Sequence, residues 1–303
     1  MAIDEKMIQE LPLVTLLAIS FNHEKFLIQT LDSILAQDYP NIELIIIDAA
    51  SSDSSVSLIK SWVEGKKLPI QTIFQRVTKP ITQNANEGLA LASGKYFQII
   101  SCDDILEPSK ISKQVEVFLT SDDSLAVVYC DAIKIDENGV SLKEPSFFEE
   151  RAWQMESQLP SGCIFPMLLQ DYFIVAPTVL VDTQKVRDLG GYNSNSIMED
   201  LDIFLRLSQH FSFKGIYYKG VKYRILQSSL LRSTSVSNRQ INRLMLYSNF
   251  IGQKGDWDRF IAHQYLLIRK SDSIIFRFLF YLNRLLIKVL LKKVAQLKEI
   301  EHP

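Results

Sequence analysis

Three groups of carboxylates stand where a chain could use them for chemistry. Asp103-Asp104 follows the apolar run Tyr96–Ser101, and Pro108 comes shortly after. Asp48 closes a second apolar run, ELIIID, and Glu199-Asp200 opens an amphipathic stretch. A carboxylate fixed at a strand end beside a phosphate-rich ligand is suited to hold a divalent cation, because such ions take one or two carboxylates plus the ligand's own phosphates. A carboxylate at a helix start can take a proton from a hydroxyl within hydrogen-bond reach. Each group also has a plainer reading. Asp103-Asp104 could be a solvated turn or cap, and Glu199-Asp200 could simply favour the helix dipole.

Several other chemistries lack residues. The sequence has no GxxxxGK[ST], no GxGxxG after its first apolar run and no GxSxG, which removes the support for phosphate-cradling glycine loops and nucleophile elbows. Its 303 residues carry a net charge of −2, with 47% apolar and 22% charged residues. That balance fits a globular protein and argues against a basic nucleic-acid binder. Three cysteines, Cys102, Cys130 and Cys163, fit neither a disulfide framework nor a paired-cysteine zinc site, and four histidines are few for histidine-based metal chemistry. Core thiols in a reducing compartment are the simplest reading of Cys102 and Cys130. Residues 1–13 are polar and charged, which argues against a secretory signal and places the chain in the cytoplasm.

The elements that must position these acids can be read from periodicity. Val14–Ser20, Glu43–Asp48, Ile70–Phe74, Tyr96–Ser101 and Leu125–Cys130 read as strands. Helical stripes lie between them at Glu24–Gln37, Ser54–Glu64, Thr82–Ala92 and Pro108–Leu119. Asn22 suits an N-cap and Pro108 a first helical position. Apolar strands linked by helices indicate a parallel, doubly wound α/β sheet whose ligands sit outside the carboxyl ends of its strands. Ser20–Asn22, Asp48 and Asp103-Asp104 should therefore converge. After Asp131 the pattern loosens. Asp136-Glu137-Asn138-Gly139 reads as a hairpin turn, and a helix near Phe165–Gln170 and a strand near Ile174–Val181 follow. A helix from Asp182 to Leu189 ends at Gly190-Gly191, then come a helix over Glu199–His210 and a strand or hairpin over Phe213–Ile225. The chain is helical from about Val236.

Three blocks in order carry a resemblance: VTLLAISFNHEKFLIQTLDSILAQDYPNIELIIIDAASSD, NEGLALASGKYFQIISCDD and GGYNSNSIMEDLDIFLRL. They resemble the signature blocks of family 2 glycosyltransferases, inverting enzymes of the GT-A fold that use nucleotide sugars. The likeness runs from about Leu13 to Arg224. It implies a GT-A-like doubly wound mixed sheet with a C-terminal helical extension. Residues 1–131 would form the nucleotide-sugar half, 132–235 the acceptor and base half of the same domain, and 236–303 a helical region. The resemblance implies that Ser20-Phe21-Asn22 forms the turn whose aromatic residue flanks the base, and that Asp48 faces the nucleoside. It implies that Asp103 holds the metal as the closing acid of a DXD motif, with Asp104 as the extra acid that follows. Asn86 matches the asparagine of the third helix and is expected at the nucleotide. Glu199-Asp200 matches the ED pair, whose aspartate is the implied catalytic base. Pro177-Thr178 resembles the segment preceding the acceptor site, and Tyr223-Arg224 the strand that follows the base.

The implied reaction moves a sugar from a nucleotide diphosphate, by family habit UDP, to a saccharide or lipid-linked saccharide, with Mn2+ or Mg2+ as cofactor and no nucleic-acid partner. Cell-surface polysaccharide or glycan synthesis is the implied setting. Ser101 stands where DXD has its first acid, Ala49-Ala50 follow Asp48, and Ala85 replaces the arginine common before Asn86. These departures leave open a non-catalytic nucleotide- or saccharide-binding relative. Ile274–Leu291 is about as long as a membrane span but holds Arg277, Arg284 and Lys288, which makes spanning costly. With Lys292 these cations form a narrow helical stripe. It fits a helix packed on the domain or on a second copy of the chain, or one lying on an anionic membrane at the inner face of the cell.

Overall fold

The computed structural model describes residues 11–226 apart from 170 and 197, together with 246, 247 and 250. The chain divides into two compact units, Met1–Thr234 and Ser235–Pro303. The expected C-terminal helix, with the stripe of Ile274–Leu291, lies outside the described residues. Among the described residues no helix is long and apolar enough to cross a membrane.

The first unit is built on one mixed sheet. Its strands are β1 (Val14–Ser20), β2 (Ile42–Asp48), β3 (Ile70–Phe74), β4 (Tyr96–Ser101), β5 (Ile105–Leu106), β6 (Leu125–Ile135), β7 (Val179–Asp182) and β8 (Ser212–Arg224), in the order β3-β2-β1-β4-β7-β6-β8-β5. The helices are α1 (Leu27–Leu35), α2 (Ser55–Val63), α3 (Ile81–Leu91), α4 (Lys110–Thr120), α5 (Phe165–Leu168), α6 (Thr183–Asp188) and α7 (Glu199–Ser208). Every residue of β1 and β2 is buried, as expected for parallel strands covered on both faces. The chain runs outward from β1 through β2 to β3, then returns to β4 on the other side of β1. That reversal is the switch point at which doubly wound sheets bind ligands. In register, Ser20 stands opposite Asp48 and Ile19 opposite Ser101. The first two acid groups therefore reach the same edge.

The parallel expectation holds for β1 through β4 and for β6 with β8. It fails at β7, which is antiparallel to both β4 and β6. Only the last part of the strand expected near Ile174–Val181 is extended, because Ala176–Thr178 forms a 3-10 turn before it. Asn22 does not cap α1. It adopts a left-handed φ of 55°, and its side-chain oxygen accepts from Ser52 N–H at 2.8 Å. The helix begins five residues later. Pro108 likewise precedes α4, whose N-cap is Ser109. The Asp136–Gly139 turn forms as read, with Asp136 Oδ1 accepting from the N–H groups of Asn138 and Val140. Asp182 caps α6 through Lys185 N–H. Gly191 then turns at φ 74°, where a Cβ would lie 2.6 Å from Asn86 Oδ1.

Beneath β4, β6 and the 176–178 turn lies a buried polar network. The Lys110 ammonium donates to Gln98 Oε1 at 2.5 Å and Gln114 Oε1 at 2.7 Å. The two amides in turn donate to the carbonyls of Pro177, Val128 and Thr178. A lysine so enclosed loses its hydration, and burial pulls its pKa down to about 8, against a smaller opposing effect of Cys130. The folded state then releases this proton before the unfolded chain does, so this lysine's contribution to stability rises with pH from about 8 toward the unfolded lysine value of ~10.4. The unfolding free energy of the parent, relative to Lys110→Met, should climb over that range in urea titrations. Parallel pH curves for the two would contradict a lysine titrating in the core.

Candidate functional site

The loops after β1 and β2 are laced together. The Asp48 carboxylate, fully buried, accepts from Ser51 N–H at 2.9 Å and Ser51 Oγ at 2.6 Å. Ser51 Oγ accepts in turn from Asn22 N–H at 2.9 Å. Glu24 N–H donates to Asp53, and Ser54 N–H to Glu24. These bonds tie the turn Ser20-Phe21-Asn22 to the strand end carrying Asp48. Phe21 is left 44% exposed, an unusual position for a phenylalanine and one from which a flat ring could stack. Ser20 Oγ is buried with no hydrogen-bond partner among the described residues.

His23, absent from the sequence reading, belongs to this group. Its Nδ1 is buried and unpartnered. Burial lowers its pKa, while Asp103, Asp53 and Asp48 pull the other way. One imidazole thus feels acids from the ends of both β2 and β4. Only its position immediately after Ser20–Asn22 could have flagged it.

The Asp103-Asp104 pair is split by its surroundings. Asp104 is buried, and its Oδ1 accepts from Arg224 N–H at 2.8 Å. Burial and the Asp103 charge push its carboxyl well above the usual range, against the pull of Arg224. Asp103 stays partly exposed, and among the described residues no hydrogen bond or ion pair takes up its carboxylate. No three His, Cys, Asp or Glu side chains gather to hold a metal among the described residues. The donor set on offer is therefore one partly exposed carboxylate. That fits a hard divalent cation completing its shell with phosphate oxygens and water.

Arg224 holds this loop in place. Its Nε donates to the Asp103 carbonyl at 2.7 Å, its Nη1 to the carbonyls of Asp136 and Glu137, and its Nη2 to Gln29 Oε1 of α1. The guanidinium also lies 4.6 Å from the Phe26 ring centre. Its neighbour Tyr223 links the two acid regions. Burial raises its phenol first of all, and Asp104, Asp103, Asp200 and Glu199 all add to the rise. The strand-end acids and the α7 acids thus act on one ring.

Glu199 and Asp200 open α7. Glu199 is partly buried, and desolvation with the adjacent Asp200 charge raises its carboxyl to about 8. Asp200 accepts from the Tyr172 hydroxyl and, through Oδ1, from Leu201 N–H. The pair therefore holds one carboxyl that resists ionisation beside one supplied with donors.

The remaining expected residues sit further in. Pro177 and Thr178 are buried, and their carbonyls accept from the Gln98 and Gln114 amides. Thr178 Oγ1 donates to the Val175 carbonyl. The Asn86 amide is fully engaged with the Tyr192 main chain, donating to its carbonyl at 2.7 Å and accepting from its N–H at 2.8 Å. It fixes the segment leading into α7. Cys102 and Cys130 are buried free thiols, as expected.

Comparison with known proteins bears on the fold and the family. An uncharacterized glycosyltransferase of Rickettsia typhi is 24% identical over 280 residues, covering 87% of this chain and 82% of the relative. Staphylococcus aureus TarS in complex with UDP superposes with a TM-score of 0.55 at 15% identity, over 71% of this chain. This chain spans 61% of that one. A mannosyltransferase from Pyrobaculum calidifontis, bound to GDP-mannose and Mn2+, superposes with a TM-score of 0.57 at 15% identity, over 88% of this chain and 67% of its own. At such identities these likenesses show the GT-A fold. The family model described as Glycosyl transferase family 2 matches residues 15–175, more than half of the sequence. The chain belongs to the family 2 glycosyltransferases.

Proposed function

We propose that this protein transfers a sugar from a nucleotide diphosphate donor to a hydroxyl of a saccharide or lipid-linked saccharide, with inversion at the anomeric carbon. The observation that supports the reading is the register that brings Ser20, Asp48 and Ser101, with Asp103 just beyond it, to one sheet edge in a family 2 glycosyltransferase chain. Phe21 and Asp48 are the proposed nucleoside contacts, with Ser20 and Asn22 shaping the turn. Asp103 is the proposed holder of a Mn2+ or Mg2+ ion, which when bound neutralises charge developing on the departing nucleoside diphosphate. Asp200 accepts the acceptor hydroxyl's proton as that oxygen attacks from the face opposite the leaving group. One C–O bond forms as the bond to the diphosphate breaks, so no sugar–enzyme intermediate is needed. Glu199, held protonated at neutral pH, avoids a second charge beside the base.

UDP is the proposed nucleotide, supported by the family's habit and by the TarS neighbour; the mannosyltransferase neighbour carries GDP-mannose instead. The proposed setting is cell-surface glycan synthesis at the cytoplasmic face of the membrane, with Ile274–Leu291 as the contact to lipid or to a second copy. Ser101 in place of an acid favours one second reading, a binding relative without turnover; sugar release from the donor in the presence of Mn2+ would exclude it.

Asp200→Asn should keep donor binding and lose transfer by roughly 100-fold or more; a wild-type rate under matched conditions would remove Asp200 as the base. Asp103→Ala should abolish the Mn2+-dependent part of UDP binding in calorimetric titrations. An unchanged titration would mean the ion is held elsewhere.

A further inference from the structure

Tyr172 lies in the segment between α5 and the 176–178 turn, far from α7 in sequence, yet its hydroxyl donates to Asp200 Oδ2. The segment is pinned from the other side by the connection between β6 and α5. Arg151 Nε pairs with Asp171 at 2.8 Å, its Nη2 donates to the Tyr172 carbonyl at 3.2 Å and its Nη1 to the Phe147 carbonyl. Trp153 packs edge-on against Phe173, with ring centres 5.3 Å apart. Contacts thus hold the Tyr172 carbonyl and the side chains of both its neighbours, Asp171 and Phe173.

We propose that Tyr172 is the positioning residue for Asp200, aiming its carboxylate and favouring the ionised form by hydrogen-bond donation, with Arg151 fixing Tyr172 in turn. The proposal rests on the reading of Asp200 as the base and adds a residue that the family motif does not contain. Among the described residues, the charged and titratable groups that act on the pair include Glu199 on α7, Tyr192 before it, Tyr223 on β8 and Arg206, which acts on Tyr192. Arg206 is already paired with Asp202 at 2.8 Å and bound to the carbonyls of Leu189 and Gly191, so it is committed elsewhere. Glu199 adds negative charge as it ionises and so works against an ionised Asp200. Donation from Tyr172 opposes that effect. Burial and the Asp200 charge hold the phenol itself well above its ordinary range, so it remains a donor throughout the neutral region.

The test needs no substrate. In full-length protein labelled with 13C at aspartate Cγ, the Asp200 signal is assigned by its loss in Asp200→Asn and titrated by NMR. Tyr172→Phe keeps the ring and should raise the Asp200 midpoint by on the order of one unit. 3-Fluorotyrosine placed at position 172, a more acidic donor of nearly the same shape, should move the midpoint the other way. Coincident titrations for the parent and Tyr172→Phe would overturn the proposal. If the phenylalanine variant does not fold, an unmoved midpoint in the fluorinated protein overturns it instead. Failure of the base reading is recognised separately: Asp200→Asn would then retain transfer whatever the titrations show.

Discussion

The site depends on Arg224 being held where it is. A guanidinium keeps its charge at any ordinary pH and presents its donors in a rigid fork. Here that fork is spent on main-chain carbonyls of Asp103, Asp136 and Glu137 and on Gln29, while the Arg224 N–H takes Asp104. One side chain therefore joins the loop after β4, the hairpin after β6, helix α1 and the end of β8. Its neighbour Tyr223 packs its ring edge-on against Phe147, and the charges of Asp103, Asp104, Glu199 and Asp200 all act on its phenol.

Both acid pairs follow the same physical pattern. In each, one carboxyl is raised by desolvation and by its neighbour: buried Asp104 beside Asp103, and partly buried Glu199 beside Asp200. Two adjacent carboxylates in a low-dielectric setting repel, and burying one in its neutral form relieves that repulsion. Of the partners, Asp103 stays partly exposed, and Asp200 accepts from the Tyr172 hydroxyl and the Leu201 N–H. The reversal between β3 and β4 sets these groups by a switch point of the kind where doubly wound sheets bind ligands.

Much of the first half of the fold was legible. β1 and β4 run as their apolar spacing predicts, since strands buried on both faces announce themselves as apolar runs, and the shorter, half-exposed β3 keeps its expected bounds as well. Strand direction was not legible at β7, because burial constrains which residues are apolar and says nothing about which way the chain runs. Asn22 was misread as a cap because its residue type suits both an N-cap and a left-handed turn, and only contact with Ser51 and Ser52 decides between them. The candidate acids could be named from strand ends and family blocks. Their supports could not: Tyr172 meets Asp200 across 28 positions and Arg224 meets Gln29 across 195, and no local spacing encodes such contacts. Lys110 is hidden for the same reason, since a lone lysine at a helix start reads as a surface residue.

The central claim is that acids from β2, β4 and α7 surround one nucleotide. A crystal structure of the full chain grown with UDP and Mn2+ tests it most directly. The account predicts the uridine against Phe21 and Asp48, the ion on Asp103, and the Asp200 carboxylate opening into the space beside the diphosphate. A nucleotide bound away from these residues, or Asp200 facing a separate cavity, would contradict it.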